Sequence, residues 1–213
     1  MAGARREFDR ELVAIEAKVV ELFALIGEDL PVATRALLSG DSEMAPVLAE
    51  REQVIDALYR EVEGLAARAI LRQAPVASDL RFLLSVLRIV PELERSHDLV
   101  MQIASRAGML RGDDLSPRSR GLVERTGELA SGMWREAADS WYQRDPAAAS
   151  ALGKRDEEMD GLRASLTAEL ATGGMRLTAT MEMTLVARCY ERLGAHAVNI
   201  ARRVAYLSGP APA

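Results

Sequence analysis

The sequence predicts an all-α protein of two tandem three-helix bundles related by internal duplication, six long helices in all, and three observations carry that prediction. Apolar residues recur at helical spacing through six segments, turn-forming residues separate the segments, and acidic patterns of the first half return in the second at fixed offsets. The composition agrees, since 49% of the 213 residues are hydrophobic but only 4% aromatic, with Ala, Leu, Val and Met prominent.

The first helix shows its period in Phe8, Leu12, Ile15, Val19, Leu22 and Ile26, which step by four or three and form one stripe. Gly27 and Pro31 are expected to punctuate it, leaving a short segment through Ala36-Leu37-Leu38. Ser39-Gly40-Asp41-Ser42 reads as a turn before a second helix over about 43–71, carrying Val47, Val54, Leu58, Val62 and Leu65. Gln73-Ala74-Pro75 ends that helix, because a residue before proline is pushed out of the α region. A third helix runs over about 76–107 and closes the first bundle, residues 1–107. Residues 108–120, with glycines and a Ser-Pro, read as the connection. A second bundle over 121–208 holds helices at about 121–143, 146–171 and 175–207, and a Pro-rich tail over 209–213 is expected to be disordered. Trp134 and Trp141, seven apart, share a face and read as core or bundle-interface residues.

The duplication is visible in the acids. Glu94-Arg95-Ser96-His97-Asp98 returns 97 residues on as Glu191-Arg192-Leu193-Gly194-Ala195, and Glu52 through Asp56 returns 104 residues on as Asp156 through Asp160. Asp41 and Asp145 mark equivalent turns at the same offset of 104. The difference makes the second hairpin seven residues shorter, which is expected to remove whole turns from its two arms and keep the facing sides unchanged.

A formal net charge of −5 and a pI near 5.3 speak against nucleic acid as the principal ligand, which needs a strong basic field. The single cysteine, Cys189, excludes an internal disulfide, and its neighbours Met183, Val186, Tyr190 and Leu193 place it on an apolar face as a small hydrophobe. The charged N-terminal segment lacks a signal-peptide core, and no stretch approaches the roughly 20 apolar residues of a membrane span. These features point to a soluble cytoplasmic protein.

Glu52 and Asp56 lie one helical turn apart, as do Glu94 and Asp98, and each pair shares a face. Asp56 precedes Pro75 by 19 residues and Glu94 follows it by 19, so antiparallel helices bring the four carboxylates to about one level. Such a cluster needs compensation by cations, by arginines or by protonation. Oxygen-only donors suit a hard or borderline divalent or trivalent metal. Alternatively Arg95, Arg51 and Arg192 reach the acids as interhelical ion pairs, and spacing by itself favours this second reading. Glu94-x-x-His97 has the spacing of ferritin-like di-iron bundles, but Glu191-x-x-Gly194 breaks the second copy, and His97 also continues the apolar series Leu83, Val86, Val90, Leu93. A carboxylate-bridged metal store or di-metal enzyme therefore stands only as an alternative. No phosphate loop, nucleophile elbow or catalytic triad appears, and the chain reads as a protein without catalysis.

These patterns resemble the PhoU family, whose repeat reads as an acidic turn, an E/D-x-x-x-D pair, a Gln-Pro-x-Ala-x-Asp-Leu-Arg hairpin and Glu-Arg-x-Gly-Asp-x-x-x-Asn-Ile. The first copy supplies Asp41, Glu52 with Asp56, Gln73-Ala74-Pro75-Val76-Ala77-Ser78-Asp79-Leu80-Arg81, and Glu94-Arg95-Ser96-His97-Asp98 with Gln102-Ile103. The second supplies Asp145, Asp156 with Asp160, and Glu191 through Asn199-Ile200. The resemblance implies two PhoU-like bundles, frequent homodimerisation, and iron, zinc, manganese or magnesium held on the acidic helix faces by Glu52, Asp56, Glu94, Asp98, Asp156, Asp160 and Glu191. It also implies a negative regulator of phosphate uptake and phosphate-starvation signalling. In that role a phosphate ABC transporter, through its ATPase, is coupled to a phosphate-responsive sensor histidine kinase, and the regulator meets the membrane only through the transporter. Two departures matter: Ala195 replaces an aspartate of the second copy, and His97 replaces a glycine of the first. Pro91, one turn before Glu94, is expected to kink the third helix at a cost of about 3 kcal/mol.

Overall fold

The computed structural model describes residues 2–111 and 114–208, and contains six long helices with no strand among them. The expected tail over 209–213 and residues 112–113 of the connection lie outside the described residues. α1 (Ala2–Ser39), α2 (Met44–Gln73) and α3 (Ala77–Ser105) pack pairwise, as do α4 (Pro117–Gln143), α5 (Ala148–Leu170) and α6 (Leu177–Ser208). A 3-10 turn, Ala107–Met109, follows α3. No helix among the described residues is long and apolar enough to cross a membrane.

α1 is one unbroken helix, so the expected break at Gly27 and Pro31 is not there. Gly27 is small for a packing reason: a Cβ on it would stand 3.3 Å from Cδ1 of Trp134 on α4. Pro31 removes one hydrogen bond, and the packing of Ile26, Leu30, Ala33 and Leu37, all buried, holds the helix through the gap. α3 likewise stays helical across Pro91. In α2 the inward positions are Leu48 and Ile55, one residue beyond Val47 and Val54, which are half exposed. α4 begins three residues before the end of the expected connection. Ser116 caps it, its Oγ accepting from the Ser119 amide at 3.0 Å, and Pro117 takes the first helical position, where no backbone donor is missed.

The duplication repeats down to turn geometry. After α1, Gly40 takes a left-handed φ of 72°, the Asp41 amide donates to the Ala36 carbonyl at 3.0 Å, and Asp41 Oδ1 accepts from the Glu43 amide. After α4, Arg144 takes φ 56°, the Asp145 amide donates to the Ser140 carbonyl at 3.1 Å, and Asp145 Oδ1 accepts from the Ala147 amide. Both helices thus end in the same Schellman turn, with an aspartate starting the next helix. Arg144 bears the non-glycine penalty because its guanidinium pairs with Glu16 and lies over the Trp141 ring, 4.3 Å from its centroid. The shortening of the second hairpin falls mostly on one arm: α5 has 23 residues where α2 has 30.

Two seams join the bundles into one hydrophobic core. α1 runs antiparallel to α4, with Glu16 against Arg144, Phe23 against Trp134 and Thr34 against Gly127. α3 runs antiparallel to α6, with Ser96 against His196, Gln102 against Cys189 and Arg106 against Glu182. α1, α3, α4 and α6 therefore form a central four-helix layer, with α2 and α5 packed outside it. Cys189 is buried as expected, and burial pushes its thiol pKa up.

One ion pair ties the connection to the start of α6. Arg176 donates from Nε to Asp114 Oδ1 at 2.7 Å and from a terminal nitrogen to Oδ2, and the Arg111 amide donates to Oδ2 as well. The Arg176 fork holds the Asp114 carboxyl at about 2, below the ordinary 3.8. Because the folded value is the depressed one, the stabilisation is present above pH 4 and is lost as pH falls through 2. Asp114→Asn is expected to cost about 2 kcal/mol at pH 7 and to flatten the acid limb of urea stability between pH 4 and 2. An unchanged limb would show that the pair adds nothing.

Candidate functional site

The acids chosen from the sequence gather on two helix pairs. On α2 and α3, Glu52, Asp56, Glu94 and Asp98 are all half-buried; on α5 and α6, Asp156 and Glu191 are half-buried and Asp160 is exposed. The Glu94 carboxyl is raised above its ordinary value by burial, then by the charges of Asp98 and Asp56, with Arg95 opposing and Glu52 adding to the rise. Asp98 is raised by burial, with His97 opposing and Asp56 adding. The four acids of the first bundle thus lie within each other's fields, as the spacing about Pro75 requires.

The compensating arginines are only partly those expected: Arg95 opposes the rise of Glu94, but among the described residues neither Arg51 nor Arg192 is ion-paired to the acids. Arg51 turns to Glu28 and Asp29 at 3.0 and 2.6 Å, across α1 and away from the cluster. Asp56 is instead met by the exposed Arg60 one turn along its own helix, at 3.0 Å. In the second bundle Arg163 bridges the helices, its Nε 3.3 Å from Glu191 and 3.7 Å from Asp160. Asp156 is raised by burial, then by Asp160, with Arg202 opposing and Glu191 adding. The two clusters therefore differ in kind: in the first, Arg60 pairs with Asp56 along its own helix, and in the second a guanidinium bridges the two helices.

A buried pair beside the first cluster was not foreseen. His97, 1% exposed, places Nε2 3.3 Å from Oδ2 of Asp29, which is equally buried and also receives Arg51. At the duplicated offsets these two positions become Met133 and Gly194, and a Cβ on Gly194 would stand 3.4 Å from Cε of Met133 and 3.1 Å from Asp156 Oδ1. The first bundle thus fills with a hydrogen-bonded acid and imidazole the space that the second fills with a methionine over a glycine. This accounts for His97 in a glycine position: its bulk is accepted because Asp29 is an acid.

The donor set of the first bundle suits an oxygen-liganded cation, since four carboxylates gather at a bundle surface and Arg60 pairs with one of them, Asp56. As placed, no three acid, histidine or cysteine side chains among the described residues group closely enough to surround an ion. A cation on Glu52, Asp56, Glu94 and Asp98 would neutralise charge and brace α2 against α3.

Comparison with known proteins follows the same division into halves. The chain matches the model of the PhoU domain twice, over residues 19–107 and 123–204. It is 32% identical over 205 residues to a protein of Rhizobium meliloti (strain 1021) named phosphate-specific transport system accessory protein PhoU homolog, covering 94% of this chain and 86% of that protein. A Zymomonas mobilis protein of the same name is 33% identical over 203 residues, covering 93% and 85%. The crystal structure of PhoU from Pseudomonas aeruginosa superposes with a TM-score of 0.88 at 29% identity, covering 94% of this chain and 98% of that one. With both bundles matched and the architecture shared along almost the full length, the chain belongs to the PhoU domain family.

Proposed function

We propose that the protein is an accessory regulator of phosphate transport, which represses phosphate uptake and phosphate-starvation signalling when phosphate is sufficient. It does so as an adaptor in the cytoplasm, joining the ATPase of a phosphate ABC transporter to a phosphate-responsive sensor histidine kinase, and acts as a homodimer without catalysis of its own. The observation that carries this reading is the match of both halves to the PhoU domain, together with relatives named as accessory proteins of a phosphate-specific transport system. Deletion of the gene tests it: phosphate-starvation genes are expected to be expressed in phosphate-rich medium, and unchanged expression would overturn the regulatory role. Co-purification of the transporter ATPase and of a histidine kinase tests the adaptor role separately.

A second reading, favoured by the raised carboxyls of Glu94 and Asp98, is a metal ion on the first acidic face. Because Arg163 already occupies the second face between Glu191 and Asp160, Glu94→Ala is expected to remove more bound metal than Glu191→Ala. Elemental analysis after loading with iron, zinc, manganese or magnesium reads the difference, and equal losses would show that the two faces do not differ. A metal store or di-metal enzyme requires stoichiometric metal, so substoichiometric metal without oxidase activity excludes that alternative.

A further inference from the structure

A groove of about 760 Å³ opens along the α3/α6 seam, within the size range of about 300–1,000 Å³ usual for small-molecule pockets. Its banks carry Arg88 and Arg95 on α3 and Arg202 and Arg203 on α6, above a floor that includes the buried Ile89 and Ile200. The protein as a whole is acidic, yet four guanidinium groups converge here. Several arginines elsewhere are held by acids, and Arg51, Arg60, Arg125, Arg144 and Arg155 each meet a carboxylate. Among the described residues none of the four groove arginines has an ion-pair or hydrogen-bond partner. The one acid in the groove, Glu92, faces His196 at 3.6 Å, and the imidazole is anchored on its other side by Ser96 at 2.9 Å.

The duplication supplies an internal comparison. Moving each α3 position by 97 residues onto α6, and each α6 position back onto α3, gives the equivalent half of the same seam. There Arg88 becomes Leu185, Arg202 becomes Ser105, and Arg203 becomes Arg106, which is bound to Glu182 at 3.1 Å. Arg95 and Arg203 thus keep arginine counterparts, Arg192 and Arg106, but the second of these is held by an acid. The equivalent half therefore has two arginines, one of them paired, where the groove has four without an ion-pair partner, and the full basic bank does not follow from the repeat itself.

We propose that this groove binds a small anion bearing two or more phosphoryl groups. Guanidinium forks match phosphate oxygens in bidentate geometry and remain charged at any working pH. The arginines are exposed, so a singly charged ligand gains little against screening, whereas an anion reaching several of them at once gains from each. Arg88 and Arg95 are seven residues apart on one helix, a rise of about 10 Å, which exceeds the span of one phosphate. The inference stands on the groove and holds or fails independently of the regulatory role and of any metal on the acidic faces.

Titration calorimetry tests it on the full chain stripped with EDTA, using inorganic pyrophosphate and orthophosphate at a fixed ionic strength near physiological. One saturable pyrophosphate site is expected, at least tenfold tighter than for orthophosphate. Arg95→Gln with Arg203→Gln is expected to weaken it about 100-fold, or about 2.7 kcal/mol, while Arg106→Gln changes it less than twofold. Circular dichroism confirms that the variants fold. Absence of saturable binding, equal affinity for orthophosphate, or an equal loss in Arg106→Gln each overturns the proposal.

Discussion

Trp134→Ala is expected to destabilise the protein by about 4 kcal/mol and to lower its melting temperature by roughly 10 °C. Trp134 is buried at the α1/α4 seam, its ring 5.6 Å from that of Phe23, and its Nε1 donates to the Phe23 carbonyl at 3.0 Å. Truncation removes the apolar burial, the aromatic pair and the hydrogen bond together, and leaves a cavity against Gly27 that a helix backbone cannot collapse to fill. Gly27→Ala, by contrast, asks the indole to shift by a few tenths of an ångström and is expected to cost about 1 kcal/mol. Urea unfolding of the three proteins measures both effects. A cost below 2 kcal/mol for Trp134→Ala would mean that the seam repacks and that the indole is not its anchor.

Asp29→Ala is expected to cost about 3 kcal/mol, because it strips a buried imidazole of its partner and leaves Arg51 with Glu28 alone. The second bundle shows what repairs the loss. Asp29→Met combined with His97→Gly installs in the first bundle the pair that Met133 and Gly194 form in the second. The double variant is expected within about 1.5 kcal/mol of the parent, with the helix-interior glycine accounting for about 1 kcal/mol of that. The single changes, summed, should exceed the double by more than 1 kcal/mol, since the two side chains share one space. Simple additivity in denaturant unfolding would show that the two positions are not coupled and that the structural equivalence is mistaken.

Much of the architecture was legible because it is local. The stripe from Phe8 to Ile26, the turn aspartates Asp41 and Asp145 and the offsets of 97 and 104 depend only on neighbours in sequence, and each has its counterpart in the helices. The acids Glu52, Asp56, Glu94 and Asp98 were legible for the same reason, since one proline fixes the register of the hairpin that carries them. The misreadings share a cause as well. Gly27 and Pro31 read as punctuation because the residue that makes Gly27 necessary, Trp134, lies on another helix 107 positions away. Arg51 was assigned to the acids of its own hairpin, whereas Asp29 on α1 offers a buried carboxylate at 2.6 Å. The groove arginines are scattered over α3 and α6, and only the antiparallel seam makes them neighbours.

The two antiparallel seams carry a further consequence for how such a chain diverges. Two identical three-helix units meeting through α1/α4 and α3/α6 would form an isologous dimer, in which every substitution appears on both sides of a two-fold axis. An arginine added to one bank would be added to the other, and an Asp–His pair would have to fit twice. Joining the units in one polypeptide lifts that constraint. The halves are then free to specialise as the subunits of a heterodimer do: one has Asp29 with His97 and an acidic face bridged by no arginine among the described residues, while the other has Met133, Gly194 and the bridging Arg163.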